Sequence, residues 1–202
     1  FVTSNCLTLY INKLYMTYAS PIGAVKVGRI PFGTYGHSAF NNSAGREDGI
    51  VLGTNLLPKP WSLTLVHAKQ DEGDHSTDVN SDQDNDWYSA HIDYKTDTMM
   101  AGARYIMKDY QNTAATQNNA QEIQAYATTT VGNITLGGEL AHSFGDSTAE
   151  GGATTDSDSW AVMLEASTKF DTLSAGLSYW WISGDDNADN DDESYGDAGN
   201  DW

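Results

Sequence analysis

Ser159–Ile182, SWAVMLEASTKFDTLSAGLSYWWI, resolves into two ladders when alternate residues are read together. In its first half Trp160, Val162, Leu164 and Ala166 are apolar, while the set Ala161, Met163, Glu165, Ser167 and Lys169 includes the charges. Beyond Asp171-Thr172 the ladder resumes, with Leu173, Ala175, Leu177, Tyr179 and Trp181 against Ser174, Gly176 and Ser178. A period of two is that of a strand with one apolar and one polar face. Each arm has about ten residues, enough to cross a bilayer at a strong tilt. Trp160, Tyr179, Trp180 and Trp181 crowd one end of the pair and Phe170 marks the other. Aromatic girdles at two membrane–water interfaces have this distribution, and the segment reads as a transmembrane β-hairpin.

The same rhythm runs along the chain. Leu7–Ala19 and Ala24–Phe32 flank the turn Ser20-Pro21-Ile22-Gly23, with Leu14, Met16 and Tyr18 predicted on one face and Lys13, Tyr15 and Thr17 on the other. Arg29 shares a parity with Val25 and Val27, which sets it at the membrane edge unless a bulge turns it inward. Further arms are Gly49–Leu56, Trp61–Lys69, Trp87–Lys95, Met99–Tyr110, Gln121–Val131 and Ile134–Phe144. Short connections near residues 21, 58, 97, 132 and 171 alternate with long polar ones near 40, 78, 115 and 151. An up-and-down meander would then carry short turns on one rim and long loops on the other, the asymmetry of periplasmic turns and extracellular loops. The expectation is an all-β, antiparallel up-and-down transmembrane β-barrel with about ten strands in this chain, one domain over residues 1–202.

Composition narrows the function classes. The chain has 202 residues, a net charge of −18 and only 10 Lys and Arg, too few for a phosphate-neutralising face, so no nucleic-acid partner is expected. No run approaches eighteen apolar residues, which excludes a transmembrane helix. A mean hydropathy of −0.49 is compatible with a barrel, since only alternate strand residues would meet lipid. The single Cys6 permits no internal disulfide. The start at Phe1 without Met, and the acidic loop-like end, suggest a piece of a longer protein.

Most of the 28 acidic residues fall in Gly33–Asp48, Asp71–Asp86, Gly145–Asp158 and Ser183–Trp202. Such loops stay solvated, and they also make a negative vestibule that concentrates cations. Asp189, Asp191, Asp192 and Glu193 offer oxygen donors suited to calcium or magnesium, although their spacing matches no calcium loop. Inward parity selects Lys13, His91, Asp93, Lys95, Arg104, Lys108, Glu122, Glu139, Glu165 and Lys169 as candidate lining residues. A charge facing hydrocarbon at mid-depth would cost about 2–4 kcal/mol, so these groups should line water or a paired polar interior. No catalytic site is expected. Ser89, His91 and Asp93 share a face, but successive side chains on one strand are about 6.6–6.8 Å apart, too far for most direct hydrogen bonds. His37, His67, His75 and His142 lack such company, and no HExxH, phosphate-loop or GxSxG motif is present.

GRIPFGTYGHSAFNN, residues 28–42, resembles the segment after an early strand in Gram-negative outer-membrane porins, where Gly-Arg and Pro-x-Gly lead into a surface or inward-folding loop. SYWWISGDDNADNDDESYGDAGNDW, at the end of the chain, is similar to the aromatic strand and acidic loop of large porins, among them those of the alginate-export type. The resemblance implies a barrel larger than this chain, Arg29 as a wall or constriction residue, and Gly33–Asp48 as the loop to fold inward. It also implies a bacterial outer-membrane location, contact with lipid and lipopolysaccharide, small hydrophilic solutes or ions as cargo, and room for a homotrimer. The expected function is passive diffusion with a modest cation preference. Two alternatives stand beside it: a closed structural or adhesive surface barrel, and a secreted calcium-stabilised β-sandwich.

Overall fold

The computed structural model describes residues 13–31, 46–72, 84–113, 116–148 and 154–184. Among them lie ten strands and no helix: β1 (Leu14–Ser20), β2 (Gly23–Pro31), β3 (Arg46–Thr54), β4 (Trp61–Glu72), β5 (Asp84–Lys95), β6 (Met99–Thr113), β7 (Thr116–Val131), β8 (Ile134–Thr148), β9 (Thr154–Phe170) and β10 (Leu173–Ile182). Each pairs antiparallel with the next, giving one up-and-down sheet whose edges are β1 and β10. This is the expected fold class with the expected strand number. The two packed layers of a sandwich are not what these strands build.

Turn chemistry fixes the hairpins. Val131 pairs with Ile134 and Phe170 with Leu173, leaving two-residue turns. Gly132 (φ 61°) and Asp171 (φ 51°) take the left-handed conformation that such turns favour.

The expected contrast of connection lengths is overturned in part. Strands β6 and β7 run to Thr113 and from Thr116, so the long connection read near residue 115 is mostly paired strand. Strands β8 and β9 likewise extend to Thr148 and from Thr154. Both faces are polar there, so side-chain period vanishes while the backbone ladder continues. The inward-folding role read for Gly33–Asp48 falls mainly outside the described residues, as do Cys6, His37, His75 and Asp189–Glu193.

Cross-strand partners lie on the same side of a sheet, so register sorts residues into rows. One side carries the rows Tyr18–Val25–Leu52–Leu65–Ala90–Tyr105–Ile123–His142–Trp160 and Trp61–Tyr94–Ala101–Ala127–Gly138–Leu164–Tyr179. Most of its large side chains are exposed, with Leu164 at 54% and Leu177 at 78%. The other side holds the buried residues Val66, Ala68, Ile106, Ala141, Ala161 and Met163. No second layer covers that side among the described residues. Its burial comes from its own side chains converging, which requires the sheet to curl toward it. Small residues fit that crowding: Gly28, Gly49 and Ala68 adjoin on one inner row, and Ala120 and Gly145 continue it beyond Trp87 and Lys108.

Short turns step along the sheet from Gly23 to Trp61, Met99, Ile134 and Leu173, each further down the rows than the last. Tilted strands in a curled sheet produce this stagger. Gly28, like Gly23 and Gly145, packs its backbone against a neighbouring carbonyl oxygen where no side chain fits. It sits at φ 122°, and a Cβ there would stand 2.3 Å from the Leu14 carbonyl oxygen. Gly28→Ala is expected to lower the unfolding free energy by about 1–3 kcal/mol through strain and clash together. Urea titration would read this, and an unchanged midpoint would contradict the strained backbone at this position.

Candidate channel wall

Three inner rows build the site: Ser89–Ile106–Glu122–Ser143–Ser159, His91–Arg104–Gln124–Ala141–Ala161, and Asp93–Gly102–Tyr126–Glu139–Met163. They gather ionisable groups from β5, β6, β7 and β8 over a floor of small residues. Arg104 is 5% exposed, Glu122 6%, Glu139 4% and Gln124 1%. A charge so desolvated is tolerable only when paired and hydrogen-bonded. The Arg104 guanidinium donates through Nη2 to Gln124 Oε1, and Gln124 Nε2 donates in turn to Glu122 Oε1. Gln124 thus relays a cation to an anion across two strands. Beside this chain, Tyr126 Oη donates to Asp93 Oδ1 at 3.0 Å.

His91 Nε2 lies 2.8 Å from Ser89 Oγ. The expectation that neighbours on one face of one strand stay apart is therefore corrected at this pair. Spacing along a strand separates the side-chain roots, whereas an imidazole reaches along the strand to close the gap. Asp93, the third member of that trio, bonds to Tyr126.

The other candidates scatter. Lys108 belongs to the inner row of Trp87 and Ala120, and Glu165 to that of Gly137 and Ser178. Lys95 and Lys169 share the inner parity but are exposed at the short-turn ends of their strands, and exposed Lys13 just precedes β1. Arg29 departs from the wall or constriction role that the resemblance implied. It shares the outer side with Val27 and Ile50, and its Nε lies 3.4 Å from Asp48 Oδ1. Of the two positions left open by parity, the edge of the apolar field is the one it takes. Its row continues through Lys69, Asp86, Asp109, Asn119, Asp146 and Asp156, so charge bounds the field on the side away from the short turns.

Two outer histidines also have partners, contrary to expectation. The His67 ring stacks on Tyr88 at 4.7 Å, with Nε2 3.4 Å from Asp86 Oδ1. His142 stacks on Trp160 at 3.9 Å and places Nε2 2.7 Å from Asp158 Oδ1. Sequence reading missed these, and Gln124 with them, because the histidine pairs and the Arg104–Gln124 bond cross strands. Gln124 also carries no charge to draw notice, though its inward parity was legible.

Among the described residues, no group of three or more His, Cys, Asp and Glu is arranged to hold a metal ion. A scan against protein-family models finds no match to the chain, and a search of curated proteins finds no relative.

Proposed function

We propose that this chain is part of an antiparallel transmembrane β-barrel of a bacterial outer membrane. Its function on this reading is a water-filled channel for passive diffusion of small hydrophilic solutes or ions, with a modest cation preference. The observation that carries the reading is the inversion of the two faces. Leu164, Leu177, Val131 and Phe170 are each more than half exposed, while Arg104, Glu122, Gln124 and Glu139 are buried. In water this arrangement leaves a broad apolar face unsatisfied and desolvates charges instead. In a bilayer the same arrangement meets lipid with its apolar face and turns its polar one toward the lumen.

Dimensions support the reading. Trp160 and Phe170 on β9 are ten residues apart, about 33 Å along the strand and about 25 Å in height at a tilt of about 40°. The apolar band of outer-membrane barrels is about 25 Å tall. Transport would follow from the lining: carboxylates Asp93, Glu122 and Glu139 outnumber the Arg104 cation in the three central inner rows, and such a field favours cations.

Single-channel reversal potentials in a salt gradient test this. A cation preference is expected, and Glu139→Gln should bring the permeability ratio closer to unity; clear anion selectivity would overturn the reading. One observation favours a second reading, a closed barrel whose interior is filled. The Arg104–Gln124–Glu122 chain is nearly inaccessible, as a side-chain plug would be. Liposome swelling in small sugars separates the two, because only an open lumen passes sugar.

A further inference from the structure

Apart from Met163, every inner-side residue of β8 and β9 is polar, glycine or alanine. The inner side of β10 breaks that pattern with two large apolar residues. Trp180 pairs with Met163 and Ile182 with Ala161, so one lies in the row of Glu139 and the other in the row of Gln124. Both are exposed, whereas Met163 is buried. An indole open on the polar side of the sheet has no part in meeting lipid, and its contact has to come from the lumen.

Carboxylates frame it on that same side. Glu165 pairs with Ser178, two residues from Trp180. Diagonal neighbours on one side of a sheet lie about 7–8 Å apart, within reach of aromatic and long side chains. Glu139 pairs with Met163 and so stands two strands from Trp180, about 10 Å away. The nearest inner-side cation on β9 is Lys169, four residues or about 13 Å along the strand from Glu165. Arg104 is two strands from Glu139 in the next row, where it donates to Gln124. The field at the indole is therefore negative. Trp is the aromatic that attracts cations most strongly, and quaternary ammonium groups are the ligands that exploit it. The two carboxylates repel an anion, and a neutral sugar gains nothing from their charge.

We infer that the inner wall at Trp180 is a binding site for organic ammonium solutes, the cationic head against the indole with Glu165 and Glu139 as counter-charges. The inference rests on the channel reading above and names its solute class. A further strand paired to β10 would occupy only the backbone edge, because sheet neighbours lie side by side. Trp180 would still face the lumen.

The test measures potassium current through the protein reconstituted in planar bilayers, with tetramethylammonium as the probe and far-UV circular dichroism as the check on folding. A saturable reduction of the current is expected. Trp180→Leu should raise the half-blocking concentration about two- to fivefold, the size of one exposed cation–aromatic contact. Glu165→Gln, which keeps the shape of the side chain, should raise it about fivefold, as loss of one nearby charge in water does. The second variant decides the matter where the first fails to fold. Trp181→Leu, on the opposite face of the same strand, should leave the block unchanged. Block indifferent to both inner variants overturns the inference, as does glucose that blocks as well as tetramethylammonium at equal concentration. Potassium current without any block would sink this site alone. No current at all would remove the channel reading and the site together.

Discussion

Leu164→Arg is expected to cost about 2–4 kcal/mol of unfolding free energy in lipid vesicles, although Leu164 is 54% exposed. In water, substitution at so open a surface position ordinarily changes stability by less than about 0.5 kcal/mol. The difference comes from the solvent. Leu164 lies between Trp160 and Phe170 on β9, with Gly138 and Tyr179 as its cross-strand partners. A guanidinium there would sit near the middle of the apolar band, with no carboxylate in its own row. Asp156→Arg serves as the control, since Asp156 belongs to the charged outer row at the edge of that band. There the penalty should fall to about 0–1 kcal/mol, because lipid-facing charge is tolerated near an interface. Urea titration followed by tryptophan fluorescence measures both. Equal effects at the two positions would mean that depth along the strand has no energetic meaning.

The second large effect lies on the opposite face. Arg104→Met should lower the unfolding free energy by at least about 3 kcal/mol, since removing one partner of a buried ionic arrangement strands the other charge. Glu122 and Gln124 are 6% and 1% exposed, so little water reaches them to replace the cation. Adding Glu122→Gln to that variant should restore part of the loss, because the stranded charge is then removed as well. The double-mutant cycle would report a coupling energy in the range of about 0.5–3 kcal/mol. Strict additivity would mean that Gln124 relays nothing between the two. On the channel reading, Arg104→Met should also strengthen cation preference by leaving the inner carboxylates unopposed.

The faces of the sheet were legible from alternation alone. Strands β5, β6, β7 and β9 present Tyr88, Ile92, Tyr105, Ile123 and Leu164 on one side and His91, Arg104, Glu122 and Glu165 on the other, in agreement with the sequence pattern. The hairpin turns were equally legible, because Pro21, Gly132 and Asp171 carry their own backbone preferences. Strand ends were not. Beyond the apolar band Gln117, Asn118 and Asn119 pair with Thr148, Ser147 and Asp146, and polar residues on both faces erase the period while the ladder persists.

Partners were illegible for a different reason. Whether Gln124 meets Arg104, or His142 meets Trp160, depends on the register between strands, which no single strand encodes. Arg29 shows the same limit. Its parity admitted two positions, and only its pairing with Asp48 and its row alongside Val27 and Ile50 resolved the choice.

The central claim is that the exposed apolar rows meet hydrocarbon and the polar rows face away from it, toward the lumen. It is tested most directly by spin labels placed one at a time from Trp160 to Ser167 in the reconstituted protein, with Cys6 replaced by Ser. Labels at 160, 162, 164 and 166 should be relaxed by oxygen dissolved in the bilayer, those at 165 and 167 should show the opposite, water-side bias toward a polar nickel chelate, and those at the buried positions 161 and 163 should be shielded from both. Preferential nickel relaxation at Leu164, with Glu165 relaxed by oxygen, would contradict the account.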